Sequence, residues 1–265
     1  MSKPFYRLLT ELSSRKWVSK ITGAFAKSKA SRSLIPRFAK SYGIRVEDAE
    51  KHIAEYASLN DFFTRRLKPG LRPVDHDEAN LVSPVDGLIT GMGLIQKGLI
   101  LGVKGQDYTI DELLNRSPRT VNYNGGFYFV LYLSPTDYHR IHSPVTGKII
   151  EKDHVPGKVY PVNEFGLRHM KKVLSRNERL ITFIQHPAGE IAVVKVGALN
   201  VSSIQYVQPL QDQLNRGDEL AYFEFGSTVV LLLEDNIFKP RSELGVGSQV
   251  KMGEALGVLQ EVRGH

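Results

Sequence analysis

A chain of 265 residues with 42% hydrophobic and 24% charged content can bury a sizeable core and has an ordinary globular composition. It holds no cysteine, which excludes disulfides, a thiolate nucleophile and cysteine-ligated zinc. The net charge is +7, yet residues 1–45 carry eleven Lys and Arg against one acid, Glu11, so a basic segment precedes a slightly acidic body and offers a handle for something anionic. The longest apolar runs, such as Val229 to Leu233, are too short to span a bilayer, and no apolar block of signal-peptide length opens the chain.

In residues 3–25 apolar side chains recur at helical spacing: Phe5, Leu8, Leu9, Leu12, Trp17, Ile21 and Phe25, with Lys and Arg between them and Gly23 as an interruption. Leu34, Ile35, Phe38 and Tyr42 continue the pattern, with Pro36 near a helix start. A basic helix with one bulky apolar face can lie in a membrane interface, or can pack on the protein's own core with its lysines in water. Nucleic acid fits poorly, since no reading surface interleaves aromatic and basic residues. Val46 to Ala57 reads as a second helix. Ser58 is the N-cap of a third, running to Leu67, with Asp61 in its first turn and Phe62 and Phe63 as anchors. Arg65, Arg66 and Arg72 could be a phosphate site or solvated surface.

Near residue 80 the texture changes to short alternating runs separated by Gly, Pro and Asn, which reads as β. Two segments resemble each other, Ser83-Pro84-Val85-Asp86-Gly87 and Ser143-Pro144-Val145-Thr146-Gly147, each a tight turn feeding a strand. Gly247 to Gly257 is a strand–turn–strand unit of the kind found in lipoyl- and biotinyl-type barrel-sandwich domains. Gly102 to Leu114 reads as a strand followed by a short helix opening near Thr109 or Asp111. Phe127 to Leu133 is a buried strand, and Gly157 to Arg179 a long loop over or beside a site. The fold class expected is α+β: a helical region over 1–75, then a β-rich, barrel-sandwich-like domain over 76–265.

Chemistry concentrates in three places. Ser134 to Pro144 places His139 and His142 in a loop at a strand end, where imidazoles can act as acid and base or bind a metal. Asp86, in the related turn, could orient one of them as the acid of a Ser-His-Asp triad does, or could simply cap its turn. Gly226-Ser227 lies where two runs of strand formers, Phe223 to Phe225 and Thr228 to Leu233, meet. A hydroxyl directly after Gly, near a base, can attack the preceding carbonyl; the plainer reading is a turn or bulge.

These motifs together resemble the phosphatidylserine decarboxylases: Ser83 to Gly87, Asp137-Tyr138-His139-Arg140-Ile141-His142, Asn177-Glu178-Arg179 and Phe225-Gly226-Ser227-Thr228. Leu59 to Leu67 and Lys104 to Tyr108 join them, so the resemblance runs from about residue 58 to the C-terminus. Phe225 stands where many relatives have Leu, and the N-terminal helices are less family-like.

The resemblance implies a precursor that cuts itself between Gly226 and Ser227, leaving a β chain of 1–226 and an α chain of 227–265 that stay together as a heterodimer. Higher assembly is left open. It implies that Asp86 orients His142, that His142 deprotonates Ser227, and that Ser227 becomes a covalent pyruvoyl cofactor with no metal. The pyruvoyl ketone would take up the serine amine of phosphatidylserine and accept electrons as CO2 leaves, with His139 as proton donor at Cα and phosphatidylethanolamine as product. The basic N-terminus adds an anionic membrane surface as partner and a peripheral place on the cytoplasmic face of the cell membrane. Three rivals remain at this stage: a zinc peptidase using His139 and His142, a barrel-sandwich carrier module, and a pyruvoyl enzyme for a soluble amino acid. The first leaves Gly226-Ser227 unexplained, and the second gives the two histidines no job.

Overall fold

The computed structural model describes residues 16–103, 106–160, 162, 170–198, 204–224 and 227–260. Phe5, Leu8, Leu9 and Leu12 of the expected amphipathic face lie outside the described residues, as do Phe225 and Gly226. The fold is mixed α and β with strands predominating, and among the described residues no sheet closes into a barrel.

Helix α1 spans Lys16–Lys27 and runs through Gly23 without a break. Helix α2, Ile35–Tyr42, carries Pro36 in its first turn and ends at Gly43, whose φ of +64° supplies the left-handed cap. Val46 to Ala57 is not the helix that its spacing suggests. It forms two single 3-10 turns, Val46–Asp48 and Ile53–Glu55. Ala49 bridges to Leu67 instead of continuing the first, and a capping box of His52 and Glu55 starts the second. Helix α3 is Leu59–Phe63, with Ser58 Oγ accepting from the Asp61 N–H; it stops at Thr64, short of Leu67. Ile35, Ala39, Ile44, Ala49, Tyr56 and Phe62 form the core under these helices.

The strands are β1 Asn80–Val82, β2 Gly87–Leu94, β3 Leu99–Val103, β4 Gln106–Thr109, β5 Phe127–Leu133, β6 Arg140–His142, β7 Gly147–Val155 and β8 Arg179–His186. They continue with β9 Gly189–Gly197, β10 Ile204–Tyr206, β11 Gln213–Leu214, β12 Glu219–Phe223, β13 Ser227–Leu233, β14 Phe238–Pro240, β15 Gln249–Val250 and β16 Ala255–Leu259. Helix α4, Ile110–Leu113, follows β4 with Thr109 as its N-cap, and α5, Val173–Arg176, lies in the stretch read as a long loop. Residues 161 and 163–169 of that stretch are outside the described residues.

One antiparallel sheet of eight strands, in the order β11-β7-β8-β9-β13-β5-β2-β15, organises the molecule. Two three-stranded sheets, β1-β16-β14 and β10-β12-β6, accompany it. Side chains alternate between two faces along each strand. Val229 and Leu231 of β13 therefore join the core shared with the smaller sheets, while Val230 and Leu232 join the core under the β3–β4 hairpin, α4 and α5. Both faces of β5 and β13 are buried, which explains their unbroken apolar sequences.

The resemblance between residues 83–87 and 143–147 is structural. Ser83 Oγ donates to Val85 O and Ser143 Oγ to Val145 O, each at 2.7 Å. The turns exchange bonds across an approximate two-fold: His142 N–H to Pro84 O at 2.9 Å and Val82 N–H to Pro144 O at 3.1 Å. The relation extends through the sheets, pairing β15–β2 with β11–β7 and β1-β16-β14 with β6-β12-β10. Gly87 and Gly147 hold equivalent close approaches, where a Cβ would come within 2.8 Å of Tyr132 O and 2.5 Å of Gln185 O.

Candidate active site

The site arises where this symmetry breaks. Thr146 uses its hydroxyl to accept the Arg216 N–H at 3.1 Å; at the equivalent position Asp86 Oδ1 accepts the Met252 N–H at 2.9 Å. Asp86 thereby gains a charge, which Arg72 meets with both arms of its fork, Nε to Oδ1 at 2.7 Å and Nη2 to Oδ2. His142 stands where β1 has Val82, next to the start of the second turn.

Both histidines are buried and their tautomers follow from their partners. His142 Nδ1 donates to Gly217 O at 2.7 Å, so its Nε2 accepts from the Tyr138 hydroxyl at 3.0 Å. His139 Nδ1 donates to Asp137 O at 2.9 Å, which leaves a lone pair on Nε2, and that atom is enclosed without a partner. Burial lowers the proton affinity of both; His139, which also feels Arg65, is brought down to about 3. The Phe63 ring lies against the His139 ring with centroids 4.0 Å apart, so the N-terminal helices supply one wall of the site.

Ser227 opens β13, paired to Leu133 on one side and Gly197 on the other, and is fully buried. Among the described residues its Oγ has no hydrogen-bond partner, and neither has Thr228 Oγ1. Strand β12 carries the chain toward it. Phe223 N–H donates to His139 O at 3.1 Å, and Glu219 pairs with His142, so the histidine segment and the approach to Ser227 lie side by side. The structure thus gathers His139 and His142 on one segment beside β12. The direct bonds expected from a triad are absent: Asp86 binds Arg72 and Met252 rather than His142, and no hydrogen bond joins His142 to Ser227. Asp86 still acts on His142 through its charge, favouring the protonated form.

Several residues escaped the sequence reading. Tyr138 was visible only as part of a motif, yet it occupies His142 Nε2. Lys195 is fully buried on β9, opposite Val229, with Nζ donating to Thr182 Oγ1 at 2.5 Å and to Val193 O at 3.2 Å. Burial depresses its proton affinity strongly. Its signal was a lysine inside the apolar run Ile191 to Val196. Of the three arginines flagged together, Arg66 is spent on Glu219 and Arg72 on Asp86; only Arg65 keeps a carboxylate-free guanidinium. Among the described residues no group of three or more His, Asp or Glu is placed to hold a metal ion.

The buried neutral histidines make a pH prediction. His139 resists protonation down to about 3 when folded, whereas the unfolded chain protonates it near 6.5, and His142 shifts in the same direction. Between those values the unfolded state binds more protons, so stability is complete above about pH 6.5 and is lost as pH falls below it. Thermal melts of the Ser227→Ala chain should drop from pH 7.5 to pH 5, and His139→Asn should flatten that slope. A slope unchanged by the substitution would place the titrating groups elsewhere.

Comparison with known proteins gives the family of the chain. The family model described as phosphatidylserine decarboxylase matches residues 59–258. The chain is 45% identical over 258 residues to a protein of Geobacillus kaustophilus named phosphatidylserine decarboxylase proenzyme, covering 97% of each chain. Proteins of the same name from Bacillus mycoides and Bacillus thuringiensis are each 41% identical over 256 residues, again at 97% of each chain. These alignments extend into the N-terminal region that had looked less family-like. By both measures, this chain belongs to the phosphatidylserine decarboxylase family.

Proposed function

We propose that the chain is a precursor that cuts itself between Gly226 and Ser227, converts Ser227 to a pyruvoyl group, and decarboxylates phosphatidylserine to phosphatidylethanolamine and CO2 in phospholipid biosynthesis. The observation that carries this reading is Ser227: a fully buried hydroxyl with no hydrogen-bond partner, at the head of a strand held on both sides. A buried hydroxyl without a partner is costly and calls for a reason. A nucleophile free to turn toward the preceding carbonyl is one, and the family supplies the precedent.

His142 takes the Ser227 proton, exchanging Tyr138 for Ser227 at Nε2, while the Asp86 charge favours the resulting imidazolium. The serine oxygen attacks the Gly226 carbonyl carbon and displaces the Ser227 nitrogen, which takes the proton from His142 and becomes a free amine, to give an ester. Loss of the Ser227 α-proton then breaks the Cβ–O bond and releases Gly226 as a carboxylate. Water replaces the nitrogen of the remaining dehydroalanine, which leaves as ammonia, and the pyruvoyl group stays on Thr228. A pyruvoyl carbonyl supplies the electron sink that amine substrates need for decarboxylation. The open Nε2 of His139 is the group proposed to pass a proton to the substrate Cα; it holds none in the empty site, so the proton would arrive with the anionic substrate, whose charge opposes the lowering by burial, and Phe63 lies against the ring. Carboxyl-labelled phosphatidylserine should release its label as CO2, and hydroxylamine should stop the reaction by capping the carbonyl. Full activity after hydroxylamine treatment would refute the pyruvoyl assignment.

The paired turn-and-hairpin units support the barrel-sandwich kinship, here as an open arrangement of sheets. The division into a helical region to about residue 75 and a catalytic region beyond it belongs to the same reading. We place the protein peripherally on the cytoplasmic face of the membrane, docked through the basic N-terminal region. No helix among the described residues is long and apolar enough to cross a membrane. In the described part of that region Phe25 and Leu34 are exposed beside Lys29, Arg32 and Arg37. Each basic residue near an anionic surface contributes about 1 kcal/mol, screened by salt. Binding to phosphatidylserine vesicles should therefore weaken as salt is added, and equal pelleting with neutral vesicles would remove the electrostatic part.

A further inference from the structure

Arg65 is 5% exposed, and its guanidinium touches no carboxylate. Nη2 makes two long contacts, to Thr136 O at 3.3 Å and Asp137 O at 3.5 Å, while Nε and Nη1 have no partner among the described residues. Its neighbours behave differently. Arg66 grips Glu219 with both arms at 2.9 Å, Arg72 grips Asp86, and Arg140 spans Glu219 and Thr64 O. Asp86, Asp137 and Asp48 act on Arg65 only through space, and a buried guanidinium with unfilled donors is costly unless something else fills them. Phe62 offers only its ring face, with the guanidinium 5.2 Å from the centroid. Arg65 also lines a cavity of about 410 Å³ shared with Arg72, Asp86, Asp137, Tyr138 and Lys251, on the loop that leads to His139. All four carboxylates that line this cavity are already engaged: Asp48 pairs with Arg45 at 3.1 Å and Glu254 accepts the Lys251 N–H at 3.0 Å. Asp86 is neutralised by Arg72, and Asp137 accepts the Ser134 N–H at 2.7 Å while burial raises its proton affinity.

We infer that Arg65 is the subsite for the phosphodiester of the lipid headgroup, the anion that completes its unfilled fork. The inference rests on the decarboxylase reading for its substrate, and the chemistry selects which of the substrate's two anions the fork serves. The carboxylate leaves as neutral CO2, so a guanidinium clamped on it would stabilise the ground state more than the transition state and slow the reaction. The phosphodiester keeps its charge from binding to product, so holding it lowers KM without that penalty. A planar fork with several free N–H donors matches two phosphate oxygens, which a lysine cannot reproduce. The two Nη2 contacts are long, so the guanidinium is held only weakly where it lines the cavity.

The test uses the full chain in two forms. In the self-cleaved enzyme, assayed on a short-chain, monomeric phosphatidylserine, Arg65→Met should raise KM at least tenfold and change kcat by less than threefold, with Arg65→Lys in between. Intact mass confirms that each variant has cut itself and so has folded. In the uncut Ser227→Ala chain, calorimetric titration should show glycerophosphoserine binding at least tenfold more tightly than serine, with Arg65→Met erasing the difference. Inorganic phosphate binding as tightly as glycerophosphoserine would mean a general phosphate site in place of a headgroup site and would overturn the assignment. So would an unchanged KM in Arg65→Met, or equal affinity of the Ser227→Ala chain for glycerophosphoserine and serine. The titration needs no turnover, so an enzyme that failed to decarboxylate would leave the Arg65 result standing on its own.

Discussion

Ser227→Ala should remain one uncut chain, with decarboxylase activity lowered on the order of 10⁴-fold or more, because no neighbouring side chain replaces the oxygen proposed to attack the Gly226 carbonyl and then to leave from Cβ of the residue that becomes the cofactor. The wild-type chain should appear by intact mass as a fragment of residues 1–226 and one of about 39 residues, 227–265, blocked at its N-terminus. Edman degradation of the small fragment should fail until the ketone is converted to an amine. The alanine chain should melt no lower than the wild-type precursor, since the lost hydroxyl makes no hydrogen bond. A fully active enzyme that runs as one uncut chain with an ordinary serine at 227 would defeat both the cleavage and the cofactor it generates.

The second large effect separates the histidines. His142→Ala should cut itself slowly or not at all, with Asp86→Ala in the same direction through loss of the charge that favours its imidazolium. His139→Ala should still cut itself but lose about 10²- to 10⁴-fold in decarboxylation, the usual range for removing a positioned acid or base. Gel analysis of cleavage against time, beside CO2 release from the cut fraction, measures the two roles independently. The reverse ranking would hand the precursor's base to His139, the histidine whose Nε2 is already open.

Local signals were the legible ones. Phe127 to Leu133 could be bounded as a strand because both of its faces are apolar, and Ser58 announced a helix start through its spacing to Asp61. The two Ser-Pro-Val turns showed in the sequence as a repeat because each needs the same serine hydroxyl and the same closely approached glycine. What the sequence hid was partnership. Asp86 looked available to His142, but Arg72, outside every motif, takes its carboxylate from 14 residues upstream. Val46 to Ala57 had helical spacing, and tertiary contacts through Ala49 and Leu67 overrode it. Residues 143–147 and 83–87 suggested kinship without revealing that a two-fold relation would place His142 where its twin has an inert valine.

Strand β13 has a further consequence for the life of the protein. Residues 227–260 supply β13 to the middle of the large sheet, β15 to its edge, and β14 and β16 to a smaller sheet, so one half of the two-fold arrangement depends on the small fragment. Before the cut, folding is a search within a single molecule. If the chain is cut as proposed, any later complete unfolding would scatter two polypeptides whose reunion is second order and fails on dilution, and the Gly226–Ser227 bond would not be remade. The cut form would then be a one-way product, its persistence set by how rarely it opens and its lost copies replaced by new synthesis.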